Sequence, residues 1–538
     1  MRRNLRNNPN QTGFRPGFSI HNLLMRMEAV IRLSESENTD LIIAGIDFKE
    51  AYERAWRPGI LYQLWHAGIT GKLWRIIRDM LTDTTSCVRT NFGDTRTFRT
   101  LVGIIQGSVL AAALFAVYIS PISDELATLS SAFNSVLFPP QLYADDMESM
   151  ARRLCQADQM SRAAIQWASK WGSEVSLTKS NLVLIMANLA APSTPAPPLT
   201  LKAVNSTDIL GVKLSKEGLA PCNFVAPLIS KLHKKIQAVF AAIGGLSTTV
   251  KPNIAVFLYQ TYAFSSMKHI LPLAAHNSKT LTALQAAQNT FTQRTIQSDN
   301  TTPYILLDAE LGLIDIDIQA SKERILMFYR ALKNPLDSLA PAILSFPARE
   351  NGLTVRQELQ NLISFLGINI ALSDLVNRDK PSVKYILQQG ALNTQKKRWM
   401  ETRVLCPPET RMHFRIKSQW GLDPILANLS AAQFATVIKA RLGGTSWAHN
   451  MGPHCQKCSY PNYTTEHHLW HCPAHLHLRN NLRAAISEAI TQGQSVNLGK
   501  LDLPQLTEVL LGAEHISLTP TQRTSLISIM ANYLIRIS

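Results

Sequence analysis

A chain of 538 residues with 46% hydrophobic and 17% charged residues has apolar material for several folded domains, which excludes a disordered or low-complexity polypeptide. Lys and Arg number 54 against 38 acids, a formal charge of +16 that suits a polyanionic partner, either nucleic acid or an anionic membrane surface. The seven cysteines are odd in number and only Cys455, Cys458 and Cys472 cluster, while Met1 to Gln11 is rich in Arg and Asn with no apolar core, so a secreted disulfide framework is excluded and a nuclear or cytoplasmic location is expected.

Leu41 to Ile46 is an apolar run ending on Asp47, the pattern of a buried strand with an acid at its end. A helix is expected from Pro58, with Leu61, Leu64 and Trp65 on one face and Gly68 as its stop. Thr70 is placed to cap a second helix, whose Leu73, Trp74, Ile77, Met80 and Leu81 recur at helical intervals. Thr84 to Phe92 and Thr95 to Leu101 flank Gly93-Asp94, a hairpin signal. Thr100 to Ser123 holds no charged residue and is long enough to span a membrane. Gly103, Gln106, Gly107 and Ser108 interrupt its first third, so a buried strand-turn-helix is expected there, and no membrane contact.

Val136, Leu137 and Phe138 before Pro139, then Leu142 and Tyr143, suggest a short hairpin presenting Asp145 and Asp146 at its turn; a solvated surface turn is the alternative. Helical character follows over 150–171, a strand over Leu182 to Met186, and a proline-rich linker over Ala191 to Pro198. After Pro221 the pattern becomes almost wholly helical. From Ala391 to Asn480 there are 11 Lys or Arg against 4 acids, either a polynucleotide surface or scattered solvated charge. Thr519 as cap and Pro520 in the first turn begin a last helix with Leu526, Ile529, Met530 and Tyr533 on one face.

Two constellations carry chemistry. Asp47 and Asp145 each end an apolar strand, so neighbouring strands of one sheet would bring their carboxylates together, with Asp146 in support. Hard divalent cations take such oxygen ligands, and two ions about 3.5 to 4 Å apart would serve phosphoryl transfer, here nucleotidyl transfer. The second is Cys455-x2-Cys458-x8-His467-x4-Cys472. Three thiolates and one imidazole make a closed tetrahedral set suited to a structural Zn²⁺, with His468 and His471 as alternatives to His467.

Taken in order, the motifs resemble those of reverse transcriptases of non-LTR (LINE-type) retrotransposons. Gln11-Thr12-Gly13-Phe14-Arg15-Pro16-Gly17-Phe18-Ser19 resembles the fingers motif that precedes the palm, and Asp47-Phe48-Lys49-Glu50-Ala51-Tyr52 the first palm motif. Gly103-Ile104-Ile105-Gln106-Gly107-Ser108 resembles the Gln-Gly turn entering the palm helix, and Tyr143-Ala144-Asp145-Asp146 the metal-binding turn. Lys179 follows Trp171 as in the fourth palm motif, and Leu210-Gly211-Val212 resembles the primer grip. Gln285, Gln288, Asn289 and Arg294, then Thr301-Thr302-Pro303 and Glu310-Leu311-Gly312, resemble the region that follows the palm in that family. Thr465-Glu466-His467 and Cys472-Pro473 resemble the flanks of its Cys-Cys-His-Cys element.

The resemblance implies an α+β palm (right-hand polymerase) with partial fingers, an all-α thumb and connector and a small C-terminal zinc element. The implied boundaries are 1–40 for the fingers, 41–220 for the palm, 221–340 for the thumb, 341–450 for a basic connector, 451–480 for the zinc element and 481–538 for C-terminal helices. It implies an RNA-directed DNA polymerase using two Mg²⁺ ions held by Asp47, Asp145 and Asp146, with Phe48, Tyr52, Gln106 and Gly107 at the nucleotide and Leu210 and Gly211 at the primer. The implied partners are an RNA template, a DNA primer or target, and deoxynucleoside triphosphates. Tyr52, five residues after Asp47, is placed to exclude a 2′-hydroxyl, and Lys179 to donate a proton to the departing pyrophosphate. Lys231, Lys234 and Lys235 would face the phosphate backbone or solvent. Glu53 stands where the family commonly has Asp, and Ala111-Ala112 where it has Ser-Pro. About ten residues precede the fingers motif, so an N-terminally truncated element is expected, and a catalytically inactive nucleic-acid-binding relic is the second reading. A group II intron-type maturase fits the zinc pattern less well, and no endonuclease pattern follows Cys472.

Overall fold

The computed structural model describes the chain apart from residues 1–9, 133–139, 186–198, 220–224, 245–251, 299–301, 336, 338, 349–351, 407–410, 443–453, 456, 462–466, 492–500, 514–517 and 538. The expectations for Val136 to Pro139, the 191–198 linker, Pro221, Thr301 and Thr465-Glu466 therefore lie outside the described residues. The chain forms two compact units: Met1–Phe224 with Arg324–Ser364 and Asn369–Val383, and Val225–Glu323 with Phe365–Ile368 and Lys384–Ser538.

The first unit runs α1 (Ile20–Glu37), β1 (Leu41–Ile46), α2 (Arg57–His66) and α3 (Gly71–Leu81), then four two-residue strands, β2 (Thr85–Ser86), β3 (Arg89–Thr90), β4 (Gly93–Asp94) and β5 (Phe98–Arg99). After α4 (Ala111–Ile119) and α5 (Pro121–Ala132) come β6 (Gln141–Tyr143), β7 (Asp146–Ala151), α6 (Leu154–Lys170), β8 (Asn181–Ile185), β9 (Lys202–Val204), β10 (Ser206–Ile209) and β11 (Val212–Ser215). Five strands form one sheet in the order β6-β7-β1-β8-β9, with β1 antiparallel to both neighbours and β8 parallel to β9. The continuous apolar run of β1 is what a central strand buried on both faces requires. Ile42, Ala44 and Ile46 join a core with Phe115 and Tyr118 of α4 and Trp167 of α6, while Leu41 and Ile43 are buried among the residues that alternate with them.

Several local expectations change. Met150 and Ala151 extend β7 opposite Ile43 and Ile42, so the helix expected from 150 begins only at Leu154; two apolar residues gain more from ladder pairing beside β1 than from a first helical turn. Gly93 and Asp94 lie on the return strand of their hairpin, paired with Thr90 and Arg89, which makes Asn91-Phe92 the loop. The run before α4 is not a strand. Gly103 has φ +82, and a Cβ there would stand 2.4 Å from the Glu53 carbonyl oxygen, so the backbone bends against Glu53 and leaves Leu101, Val102 and Ile105 exposed. Of the apolar stripe on α3 only Ile77 is buried. Among the described residues no helix is long and apolar enough to cross a membrane.

The implied thumb and connector boundaries also need correction, because 324–364 and 369–383 fold with the palm unit. Buried charges explain the attachment. Arg26 on α1 pairs with Asp337 at 2.7 Å, both side chains fully buried, and Arg324 bridges Glu28 at 3.0 Å and Glu358. A buried ion left alone is far costlier than one that is paired and hydrogen-bonded, so these partners hold the segment in place.

The second unit is helical among its described residues, beginning with α7 (Val225–Gly244), where Lys235 donates to the Tyr262 carbonyl at 3.1 Å. Its interior holds the fully buried Glu310, with Arg441 at 3.1 Å, Lys417 at 3.3 Å and His413 at 3.2 Å. Burial disfavours the Glu310 carboxylate, but Lys417 and Arg441 overcome it and hold the carboxyl well below its usual range. Asp308 lacks such cations, and burial pushes it up to about 8 although Thr292 donates to it at 2.8 Å. A folded pKa above the unfolded value means that Asp308 contributes stability below pH 4, which is lost as pH rises through about 8. Asp308→Asn is therefore expected to stabilise the unit by about 1 to 3 kcal/mol at pH 9 and by roughly a third of that at pH 5, read as melting temperatures at the two pH values.

Candidate active site and metal-binding cluster

β6 and β7 form a hairpin whose two-residue loop is Ala144-Asp145, with Asp146 opposite Tyr143 at the start of β7. Ile46 pairs with Met147, so Asp47, the next residue after β1, comes beside Asp146 and the loop. The sheet thus brings together the three acids expected from the sequence. A separate turn fixes Asp47 from the other side: its N–H donates to Ser180 Oγ at 3.0 Å and its carbonyl accepts from Ser176 N–H at 2.8 Å. The same turn carries Lys179, whose Nζ stands 3.8 Å from Asp47 Oδ2.

The electrostatics are those of a site short of positive charge. Burial raises the Asp145 carboxyl, with Asp47 and Glu53 adding to the rise, and burial with the charges of Asp145 and Asp47 pushes Asp146 up to about 6. Crowded carboxylates of this kind are relieved by a cation, so the donor set fits a hard divalent ion. Beside Asp47 lies an open cleft of about 810 Å³ lined by Lys49, Arg54 and Lys179 among others. Lys49 and Arg54 are tied to Glu174 at 3.4 and 2.6 Å.

Tyr52 stacks on Phe115 with ring centroids 4.6 Å apart, and burial together with the Asp145 charge pushes its phenol up to about 12. Its ring is therefore held next to the acids. Gln106 donates to Glu53 Oε1 at 2.7 Å, and Gly107, at φ +87, has no heavy atom within 4 Å of where a Cβ would stand. Phe48 does not fit the role implied for it. Its side chain is buried edge-on to Trp167 at 6.4 Å, because Phe48 bridges Val175 and turns into the core, so only its backbone can face a nucleotide. Leu210 and Gly211 form the loop between β10 and β11, both at positive φ as a tight hairpin turn demands.

Two residues gain roles the sequence reading did not give them. Glu53, noted only as a departure, faces Asp145 and is held by Gln106. Arg57 is buried and ties Gly103 O at 2.8 Å, Leu81 O at 3.0 Å and Thr100 O at 2.6 Å, fixing the bend before Gln106. A lone basic residue in an apolar helix start was the available signal.

In the second unit Cys455, Cys458, His467 and Cys472 present ligand atoms that all lie within 4.8 Å of one another, a cluster able to hold a metal ion. Cys455 Sγ and Cys472 Sγ are 3.8 Å apart, and Cys458 Sγ lies 3.2 Å from His467 Nε2. His467, stacked on Tyr460, joins the thiols, whereas His468 packs against His475 at 4.9 Å. The choice between adjacent histidines is thereby made.

A mostly antiparallel sheet that sets acids from a central strand and a neighbouring hairpin side by side, with helices packed on it, has the arrangement expected of a polymerase palm. Residues 3–214 match the family model described as reverse transcriptase (RNA-dependent DNA polymerase). The chain is 22% identical over 281 residues to the RNA-directed DNA polymerase from mobile element jockey of Drosophila funebris, covering 48% of this chain and 30% of that one. It is 22% identical over 312 residues to the jockey polymerase of Drosophila melanogaster, covering 54% and 34%. This chain thus spans about a third of the length of these relatives. Among solved structures it is similar to telomerase from Candida albicans in complex with a TWJ fragment of telomeric RNA, at 13% identity and TM-score 0.34 over 72% of this chain and 57% of that one. Apo telomerase from Candida tropicalis aligns at 12% identity and TM-score 0.31 over 73% and 55%. Over residues 3–214 the chain is thus similar to the reverse transcriptase family, and the curated relatives it matches are polymerases of a mobile element.

Proposed function

We propose that this chain is an RNA-directed DNA polymerase that extends a DNA primer on an RNA template, as part of a non-LTR retrotransposon. The observation that carries the reading is the placement of Asp47, Asp145 and Asp146 at one end of a palm sheet inside a reverse transcriptase domain. Retention of these acids disfavours an inactive relic. Asp47 and Asp145 would hold two Mg²⁺ ions, with Asp146 in support; the ions, when bound, supply Lewis-acid stabilisation of the attacking and leaving oxygens. The protein's own groups do the rest. Tyr52, braced by Phe115, closes the space beside the sugar of the incoming nucleotide. Gln106 and Gly107 offer an open backbone approach, Lys179 Nζ holds a proton for the departing pyrophosphate, and the 210–211 turn supports the primer. Lys231 and Lys234, exposed on α7, would meet the phosphate backbone.

The cluster of Cys455, Cys458, His467 and Cys472 would hold a structural Zn²⁺. Two thiolates bound to one tetrahedral zinc at 2.3 Å stand roughly 3.8 Å apart, and the Cys455–Cys472 separation is 3.8 Å. In this reading the element presents a basic, folded C-terminal surface to RNA or DNA.

The test is extension of a primer on a heteropolymeric RNA template with Mg²⁺ and deoxynucleotides; absence of incorporation by the intact chain would remove the proposal. Within it, Tyr52→Ala is expected to cut discrimination against ribonucleotides by about tenfold or more, because an excluded hydroxyl gains room. Competition between ribo- and deoxynucleotides on one template measures this, and an unchanged ratio would take Tyr52 out of the sugar-selecting role.

A further inference from the structure

The metal-binding turn rests on a segment far away in sequence. Asn10 to Thr12 runs beside β6 as a parallel bridge centred on Gln11 and Leu142: Leu142 N–H donates to Asn10 O at 2.8 Å, and Thr12 N–H donates to Leu142 O at 2.7 Å. This places the Gln11 side chain, 1% exposed, against the loop that carries Asp145. Its Nε2 donates to Ala144 O at 3.2 Å, and its Oε1 accepts from Ala144 N–H at 3.1 Å and from Gly13 N–H at 2.8 Å. One carboxamide thus satisfies both polar groups of Ala144. Ala144 is buried at φ +60, a left-handed conformation that a residue with a Cβ adopts only when its surroundings impose it.

The neighbours of Gln11 are shaped for the same task. A Cβ on Gly13 would stand 2.3 Å from Ala144 N, so only glycine lets the segment come this close. Buried Arg15 donates from Nη1 to the Gln11 carbonyl at 2.9 Å, and buried Arg26 donates to the Gln141 side chain at the start of β6. Gln is the residue type this requires: an amide both accepts and donates, whereas a carboxylate would oppose the Ala144 carbonyl oxygen and an aliphatic chain would leave a buried N–H and C=O unpaired.

We infer that Gln11 is a positioning residue of the polymerase, whose side chain locks the Ala144 backbone and thereby fixes the Asp145 carboxylate for metal binding. The inference rests on the proposed two-metal reaction. Asp145 is the residue after Ala144, so a turn free to rotate would carry its carboxylate away from Asp47. Groups that orient a metal ligand without touching the metal commonly change affinity or activity by about 10- to 100-fold when removed.

The experiment uses the full chain with Gln11→Ala and the near-isosteric Gln11→Met, the second keeping the volume filled while deleting the amide. Mn²⁺ binding is titrated by electron paramagnetic resonance with and without primer–template, alongside kcat and KM for deoxynucleotide, primer–template affinity and the melting temperature. Both variants are expected to bind Mn²⁺ about tenfold more weakly and to lose about 10- to 100-fold in kcat, with nucleotide KM and primer–template affinity within about threefold of the parent. Parental Mn²⁺ binding and kcat in Gln11→Met would overturn the inference. So would a loss that appears only together with lowered melting temperature and primer–template affinity, which marks a merely structural role. An intact chain that binds Mn²⁺ but extends no primer would instead sink the polymerase reading, while the Mn²⁺ titration still decides the role of Gln11.

Discussion

Asp145→Ala is expected to reduce primer extension by at least about a thousandfold while leaving the protein folded. The size follows from geometry. Asp145 occupies the hairpin loop itself, and Asp146, one residue on, is paired opposite Tyr143 and cannot swing into its place without breaking the end of the ladder. Stability runs the other way from activity. Burial and the charges of Asp47 and Glu53 already disfavour the Asp145 carboxylate, so its removal relieves repulsion and the melting temperature is expected to hold or rise. Single-turnover extension at saturating Mg²⁺, with a melt on the same sample, separates the two effects. Activity within tenfold of the parent would exclude Asp145 as a metal ligand.

The second large effect is expected at the cysteine cluster. Cys472 is fully buried, and the chain around it is tied to three later helices: Arg479 Nη1 donates to the Cys472 carbonyl at 2.5 Å, Trp470 to Thr507 at 2.7 Å and Tyr533 to the Leu469 carbonyl at 2.7 Å. A metal held at this knot would organise 476–491, 503–510 and 520–537 together. Structural zinc contributes roughly 10 kcal/mol of apparent binding energy that the apo chain lacks. Cys472→Ser, or a strong chelator, is expected to abolish protection from hydrogen exchange over these helices and leave the palm sheet protected. About one zinc per chain in the purified protein, lost in the variant, completes the result; a metal-free protein with an unchanged exchange pattern would dispose of the structural metal.

What could be read in advance was whatever depends on neighbouring residues. An apolar run ending on Asp47, a tight loop carrying Asp145, and three cysteines and a histidine at ligand spacing each carry their meaning within a few turns of chain, and the sheet brings the first two together as expected. Readings that depended on direction or distance were less legible. Phe48 shares a motif with Asp47, yet alternation along an extended chain sends its ring to the core. His467 and His468 are equivalent in spacing, and only the packing of Tyr460 and His475 separates them. Gly93-Asp94 has the composition of a turn but sits on a strand, since pairing through Arg89 fixes the loop two residues earlier. The clamp on Ala144 joins residues 133 positions apart, and no local pattern encodes a parallel bridge of that span.

The attachment of 324–364 to the first unit has a consequence for how the protein is made. α1 is synthesised with Arg26 and Glu28 well before their ion-pair partners: Asp337 follows Arg26 by 311 residues, and Arg324 follows Glu28 by 296. At about 5 to 20 residues per second, synthesis delays those two ion pairs by tens of seconds. During that interval α1 lacks the buried ion pairs that the later segment supplies, so native packing around Arg26 and Glu28 waits on delayed closure of a long chain loop. A fragment ending at Ser215, after the β10–β11 hairpin, would never form those ion pairs.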